Sequence, residues 1–400
     1  MTVLPDAPWR TRPGMDRLLG ALDAKGGATR YVGGCVRDAL LGLEQKDVDL
    51  ATRFTPDEVV KRLEAARIKA VPTGIAHGTV TAVSAGTPVE VTTLRRDVST
   101  DGRHAKVAFT DDWTEDAARR DFTINALSAD PLSGAVYDYF GGLDDLAARR
   151  VRFIGDPLQR IAEDHLRILR FFRFHARFGA GEPDGTGLEA CAARANDLMA
   201  LSRERIADEV LKLLALPDPA ATVGLMIERR IFRPVLPEIA GAGRLTALVA
   251  AEREAGIGPD PLRRLAALLP AEPRIAADVA ARLRLSNRQT KRLVSAAQSD
   301  TAAGTVEALA YLIGKAEAID RLLLNAAPVP DLKRLETWEK PRIPVSGGDL
   351  INMGLTEGPV VAATLQATER EWIAAGFPKD KAEVRAMARR HVDQALRSSQ

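Results

Sequence analysis

The chain has 400 residues, 46% of them hydrophobic, and a formal net charge of only +2. That length predicts a globular protein of more than one domain. The balance of 56 Lys and Arg against 54 Asp and Glu excludes a global field that would advertise nucleic acid, so any basic surface must come from local segregation.

The two cysteines, Cys35 and Cys191, lie far apart, and the five histidines are scattered, which argues against a disulfide scaffold or a zinc site. No apolar run reaches the ~18 residues of a membrane span. Met1 to Arg12 has no signal-type apolar region. A reduced, cytoplasmic location is expected.

Met15 to Ala24 is predicted as a helix and Thr29 to Val32 as a short strand, which runs into Gly33-Gly34. The segment Cys35-Val36-Arg37-Asp38 then leads into a helix predicted from Val36 to Leu43. Gly33 and Gly34 lack Cβ, so the backbone can turn sharply and bring its N–H groups close to phosphate oxygens. Arg37, within one turn, adds a planar donor fork suited to the same oxygens. Next comes Asp47-Val48-Asp49-Leu50, at the start of a strand predicted over Val48 to Thr52. On a strand, Asp47 and Asp49 share one face and Val48 and Leu50 the other. Two hard oxygen ligands facing a triphosphate form the arrangement Mg²⁺ favours. Each motif alone is common as a plain turn or strand edge; their order together carries the reading.

Thr55 to Glu58 reads as a capping box opening a helix. Gly78 to Ser84 and Val89 to Leu94 alternate around Gly86-Thr87-Pro88, a hairpin signal. Glu90 and Thr92 are expected opposite Val89 and Val91. Beside the aspartates, Glu90 becomes a third carboxylate, able to position a metal or take a proton from an attacking hydroxyl. Thr93 to Asp111, with Asp101-Gly102-Arg103-His104, has no clear periodicity and is expected to be a long functional loop. Arg119-Arg120-Asp121-Phe122-Thr123-Ile124-Asn125-Ala126-Leu127 follows. Its two arginines suit phosphate, and Asp121 and Asn125 suit ribose hydroxyls.

From about Asp144 the sequence turns helical. In Arg160 to Phe171, at about 100° per residue, Ile161, Ile168, Leu169 and Phe172 share one face. Glu163, Asp164, Arg167 and Arg170 share the other, the spacing of an ordinary ion-paired helix. Donor and acceptor inventories suggest more. Cytosine and adenine present an amino donor beside a ring-nitrogen acceptor, whereas guanine and uracil present the reverse. Asp164 offers only acceptors and Arg167 only donors, so one pair of side chains can accept C and A and refuse G and U. Further on, Ser286 to Gln289 reads as a capping box. Basic clusters occur at Arg282, Arg284, Arg288, Lys291 and Arg292, and at Lys379, Lys381, Arg385, Arg389 and Arg390. Either could meet RNA phosphates or be a solvated helix face.

The glycine pair with its two aspartates, the unbroken RRDFTINAL at Arg119 to Leu127, and Glu163-Asp164-x-x-Arg167 carry a resemblance. It is to the bacterial class II CCA-adding tRNA nucleotidyltransferase/poly(A) polymerase family of the polymerase β superfamily. Tyr137 to Leu146 resembles its hinge between head and neck. Leu201-Ser202-Arg203-Glu204-Arg205-Ile206 with Glu209 resembles its last neck motif, expected to support the base-choosing helix. Ile343 to Gly358 resembles a tail motif. Many relatives carry proline where this chain has His165, which leaves the Asp164–Arg167 spacing intact.

The resemblance implies an α+β fold: a small mixed-sheet nucleotidyltransferase head over 1–142, a helical neck over 143–215, an RNA-binding body over 216–330 and a tRNA-binding tail over 331–400. It implies Mg²⁺ as cofactor on Asp47 and Asp49, with Glu90 completing the catalytic set. Gly33, Gly34, Arg37, Arg120, Asp121, Asn125, Asp164, Arg167 and Arg170 would bind the nucleotide. The partner would be tRNA, at its 3′ end and acceptor/T arm, and the substrates CTP and ATP. The segment between Thr93 and Asp111 corresponds to a flexible loop needed for the change from C to A. Alternatives within the resemblance are a poly(A) polymerase or an enzyme adding only A; outside catalysis, an inactive RNA-binding relative.

Overall fold

Alternating burial gives the strands of the N-terminal region one apolar side each. Val80, Ala82, Val89 and Val91 are buried, while Thr81, Glu90 and Thr92 between them are not. The structure is a computed structural model that describes residues 2–44, 47–75, 78–100, 105–298 and 304–398. The chain divides into two units, Met1–Pro237 and Glu238–Gln400.

The first unit holds nine described strands: β1 (Thr29–Val32), β2 (Asp49–Thr52), β3 (Lys69–Gly74), β4 (Thr79–Ser84), β5 (Thr87–Thr93), β6 (Arg95–Thr100), β7 (Ala105–Phe109), β8 (Ser128–Ala129) and β9 (Val136–Tyr137). Seven form one sheet in the order β3-β4-β5-β2-β1-β8-β9. The β2–β5 pair is parallel and the others antiparallel, so the sheet is mixed. The β4–β5 hairpin turns at Ala85-Gly86, both at positive φ.

The long loop expected between Thr93 and Asp111 needs correction. Within it lie β6 and β7, an antiparallel pair. A register shift between Asp97 and Ser99 breaks the period of two, which hides the strand from a periodicity reading. Asp101 to His104 lie outside the described residues.

Helices α1 (Met15–Ala21), α2 (Gly34–Leu40), α3 (Pro56–Ala65), α4 (Trp113–Ala118) and α5 (Gly142–Ala147) accompany the sheet. The expected capping box at Thr55 and Glu58 opens α3. Five more helices follow: α6 (Pro157–Glu163), α7 (Arg167–Phe178), α8 (Gly185–Ala193), α9 (Arg203–Leu214) and α10 (Ala220–Glu228). Phe122, in the loop after α4, bridges the two sets. Its ring lies 5.0 Å from that of Phe153 and 5.1 Å from that of Phe174, and Phe153 stacks on Phe171 at 5.4 Å. Phe122, Phe153 and Phe171 are each fully buried, about 1.5–3 kcal/mol of transfer free energy per ring.

The second unit is helical throughout its described residues: α11 (Gly243–Ala255), α12 (Pro261–Leu268), α13 (Pro273–Arg282), α14 (Asn287–Ala296) and α15 (Val306–Ile313), then α16 (Lys315–Leu324), α17 (Val329–Glu336), α18 (Gly347–Asn352), α19 (Gly358–Ala374) and α20 (Lys381–Ser398). Capping boxes at Ser286 and Ser346 open α14 and α18. Trp372 packs with Tyr311, Phe377, Val384 and Met387 in an apolar core. A mixed sheet followed by helices is the expected α+β arrangement.

Candidate active site

The strand β1 ends at Val32, and the chain turns at Gly33 with φ 70° and ψ −125°, a conformation closed to side-chain-bearing residues. A Cβ at Gly33 would stand 2.9 Å from Arg120 Nη1, so the glycine also lets a guanidinium approach the turn. Gly34 is the first residue of α2, whose leading N–H groups have no partner within the helix. Backbone donors and the Arg120 guanidinium therefore border the same turn.

On the neighbouring strand, Asp49 is paired in register with Glu90 across the parallel β2–β5 ladder, which aims both side chains to one face. Asp47, exposed, lies two residues earlier. Burial first, and the Glu90 carboxylate second, push the Asp49 carboxyl up to about 6, against the pull of Arg120; Asp47 adds to the rise. Carboxylates crowded until one resists ionising are a site that a divalent cation would relieve. Among the described residues no three Asp, Glu, His or Cys side chains close into a metal site of their own.

Arg119 and Arg120 are held by a residue that the sequence reading gave no role. Asp116, buried in α4, accepts from Arg119 Nε (2.9 Å) and from Arg120 Nη2 (3.2 Å). Burial would raise its carboxyl, but the charges and hydrogen bonds of the two arginines hold it low. Acid–base spacing of three and four was the sequence signal.

Arg37 is not free for a phosphate in this structure. It is only 6% exposed; its Nε donates to Asp38 Oδ1 (2.6 Å) and its Nη1 to Asn125 Oδ1. Its guanidinium lies 4.1 Å over the Phe178 ring. Asp121 and Asn125 are likewise committed. Asp121 Oδ1 accepts from Asn125 Nδ2 (2.9 Å) and from the Phe122 N–H (2.9 Å). Its Oδ2 accepts from Arg170 Nε (2.8 Å) and Nη2 (2.6 Å). Burial would raise the Asp121 carboxyl, but Arg170 and these bonds keep it low. Four donors fill a carboxylate, so none of its acceptor sites remains for a ribose hydroxyl. Arg37, Asn125, Asp121 and Arg170 form a supporting network, which continues to Glu209 through Arg170 (3.6 Å) and Arg173 (2.6 Å).

The expected single base-choosing helix is two helices. α6 ends at Glu163, Asp164 is extended (φ −152°, ψ 106°), and α7 begins at Arg167. The cause is local: Asp164 Oδ1 accepts the Leu166 N–H (3.1 Å), the side-chain-to-backbone bond by which Asp competes with helix. The apolar face is as expected, with Ile161, Ile168, Leu169 and Phe172 buried. Arg167 donates through Nη1 to Glu163 Oε2 (2.5 Å) and the Arg160 carbonyl (2.9 Å), and through Nη2 to the Arg119 carbonyl (3.1 Å). Asp164 Oδ2 accepts from Arg205 Nη2 (2.8 Å). Arg167 is thus joined to Arg119, whose neighbour Arg120 borders Gly33.

The basic clusters of the second unit are partly neutralised. Arg292 is paired with Asp260 and Asp320, Arg282 with Glu238, and Arg390 with Glu371.

Residues 29–152 match the poly(A) polymerase head domain, and residues 185–242 match the probable RNA and SrmB-binding site of polymerase A. The mouse protein "CCA tRNA nucleotidyltransferase 1, mitochondrial" is 35% identical over 372 residues, covering 89% of this chain and 85% of its own. The CCA-adding enzyme of Lacticaseibacillus paracasei is 32% identical, with 91% and 92% covered. The crystal structure of the Bacillus stearothermophilus CCA-adding enzyme in complex with CTP superposes with a TM-score of 0.76 at 27% identity, over 97% of this chain and all of that one. Matches of this length run through both the carboxylate-bearing sheet and the α6–α7 region that holds Asp164 and Arg167, and the chain belongs to the CCA-adding tRNA nucleotidyltransferase family.

Proposed function

We propose that the protein adds C, C and A to the 3′ end of tRNA from CTP and ATP, without a nucleic-acid template, releasing pyrophosphate. The observation that carries this reading is the bond from Arg167 to the Arg119 carbonyl. It joins a donor-only side chain, able to choose a base, to the segment whose next residue, Arg120, borders the glycine turn.

In this reading Asp47 and Asp49 hold Mg²⁺, and their crowding with Glu90 fits that charge. When bound, Mg²⁺ would lower the pKa of the primer 3′-hydroxyl and neutralise the departing pyrophosphate. Glu90, in register with Asp49, is placed to accept the proton of that hydroxyl. Arg120 and the N–H groups opening α2 hold the triphosphate, with Gly33 giving them room. Arg37, Asp121, Asn125 and Arg170 act from behind, fixing α2 and the Arg119–Leu127 segment against α7. Asp164 accepts from the amino group of C or A, and Arg167 donates to the ring nitrogen. A carbonyl facing Asp164 and an N–H facing Arg167 would each cost about 1–3 kcal/mol, enough together to refuse U and G.

We assign head, neck, body and tail roles to 1–142, 143–215, 216–330 and 331–400, the last two meeting tRNA. No described helix is long and apolar enough to cross a membrane. Cys35 and Cys191 are free thiols, which supports a cytoplasmic site of action.

The test is incubation of the full chain with a tRNA ending at its discriminator base, CTP and ATP. Growth by three nucleotides supports the proposal. A long A tail would favour a poly(A) polymerase, and A addition only to a CC-ended primer would favour an A-adding enzyme. Asp47→Ala should lower incorporation on the order of 10³-fold, the several kcal/mol that metal-assisted charge neutralisation contributes. Unchanged incorporation would remove the metal assignment.

A further inference from the structure

The N-terminal segment, the start of α1 and the turn between β8 and β9 border a cleft of about 580 Å³, whose lining includes Asp6, Pro8, Arg10, Asp16, Leu19 and Leu132. No residue assigned to the reaction comes from this lining. Trp9, between Pro8 and Arg10 in the chain, packs edge-on against Tyr31 at 4.8 Å, which brings that fully buried ring under the same segment. Tyr31 is paired with Leu50 across β1 and β2, so its side chain leaves the sheet on the face opposite that of Asp49.

Three buried donors here have no hydrogen-bond partner among the described residues: Arg10 Nε, Arg12 Nη2 and the Tyr31 hydroxyl. Arg10 is nonetheless held in place. Its Nη1 donates to the Leu4 (3.1 Å) and Pro5 (3.2 Å) carbonyls, and its Nη2 to that of Pro131 (3.5 Å). Charge links the three groups. Burial pushes the Tyr31 hydroxyl up to about 12; Arg10 and Arg12 pull it down, while Cys35 and Asp16 add to the rise. A phenol that stays protonated at neutral pH is a donor. The two carboxylates of the lining, Asp6 and Asp16, are exposed, so acceptors stand at the rim and the unpaired donors inside. A buried donor without a partner is rare, because it has given up water for nothing.

We infer that this cleft binds a small molecule through an oxyanion, a phosphate or carboxylate group, which accepts from Arg10, Arg12 and the Tyr31 hydroxyl. Two guanidiniums and a phenol offer only donors inside, and an ionised oxyanion offers only acceptors. The cleft falls within the roughly 300–1,000 Å³ of small-molecule sites. It leaves room for a body beside the oxyanion, against Pro8, Leu19 and Leu132.

Inorganic phosphate and citrate are titrated separately into the full chain by calorimetry, without Mg²⁺ or primer. CTP is kept in excess, so that the triphosphate site is filled. One equivalent of at least one probe should bind, and the tighter probe tells a phosphate site from a carboxylate site. Arg12→Ala should weaken that binding about tenfold or more, the loss of a charged donor. Tyr31→Phe should weaken it about three- to tenfold, the loss of a neutral one. Because the Tyr31 hydroxyl has no partner among the described residues, Tyr31→Phe keeps the fold, and its thermal midpoint should not fall. Absence of binding for both probes, or the same affinity in the wild type and both variants, overturns the site and leaves the three donors to water.

Discussion

A methyl group at position 33 meets two obstacles at once. The backbone at Gly33 sits at φ 70°, ψ −125°, and a Cβ there would come within 2.9 Å of Arg120 Nη1. The first obstacle costs about 1–3 kcal/mol of strain, and the second displaces the guanidinium assigned to the triphosphate. Gly33→Ala is therefore expected to raise the KM for CTP and ATP together, leaving the preference between them unchanged, because the base contacts lie on Asp164 and Arg167. Steady-state kinetics with both nucleotides checks this; a change confined to one nucleotide would contradict the placement of Arg120. Gly33, Asp49 and Glu90 were legible in the sequence because their placement follows from local rules, a missing Cβ and a side-chain period of two. Arg37 was not. Its burial depends on Phe174 and Phe178, brought over it by α7 from a distant stretch of the chain, and no local pattern encodes that contact.

Among elements, the joint between α6 and α7 differs most from what the sequence suggests. A periodicity reading sees one helix because the buried residues Ile161, Ile168, Leu169 and Phe172 keep their spacing across the joint. Such a reading does not weigh the Asp164 side chain against a backbone carbonyl as a partner for the Leu166 N–H. The extended backbone at Asp164 (φ −152°, ψ 106°) is already what a residue before proline prefers. The His165 side chain has only a 3.7 Å approach to Asp197 to lose. His165→Pro should therefore be tolerated and stabilise the protein by about 0.4–1 kcal/mol, by restricting the unfolded chain. Thermal unfolding of the two proteins measures it, with nucleotide selectivity retained. A loss of several kcal/mol would mean that the joint needs the His165 N–H. The β6–β7 hairpin was missed for a related reason: its register shift erases the alternation by which β4 and β5 were legible.

At the scale of the whole molecule, the near balance of positive and negative residues reflects internal pairing as well as surface. The second unit encloses charge among α11, α12, α14 and α16. Glu252 accepts from Arg263 Nε (2.8 Å) and Arg264 Nε (2.9 Å), and Asp320 accepts from Arg263 Nη1 (3.2 Å) and Arg292 Nε (2.7 Å). Glu252, Arg263, Arg264 and Asp320 are all at most 3% exposed. Sequence reading places such residues on solvated faces, since it counts charges without knowing which ones face each other; Arg292, read there as a possible phosphate contact, belongs to this network. Removing one member of a buried set is costly because the remaining charges stay out of water. Glu252→Ala leaves two buried guanidiniums without the carboxylate they share and should destabilise by about 3–5 kcal/mol. The exposed Arg334–Glu307 pair of the same unit offers the contrast, since its arginine side chain is 52% exposed and screened by water. Arg334→Ala should leave the urea midpoint where it was, while Glu252→Ala lowers it at unchanged slope. Equal shifts for the two variants would show that the buried set is no more than a collection of surface-strength pairs.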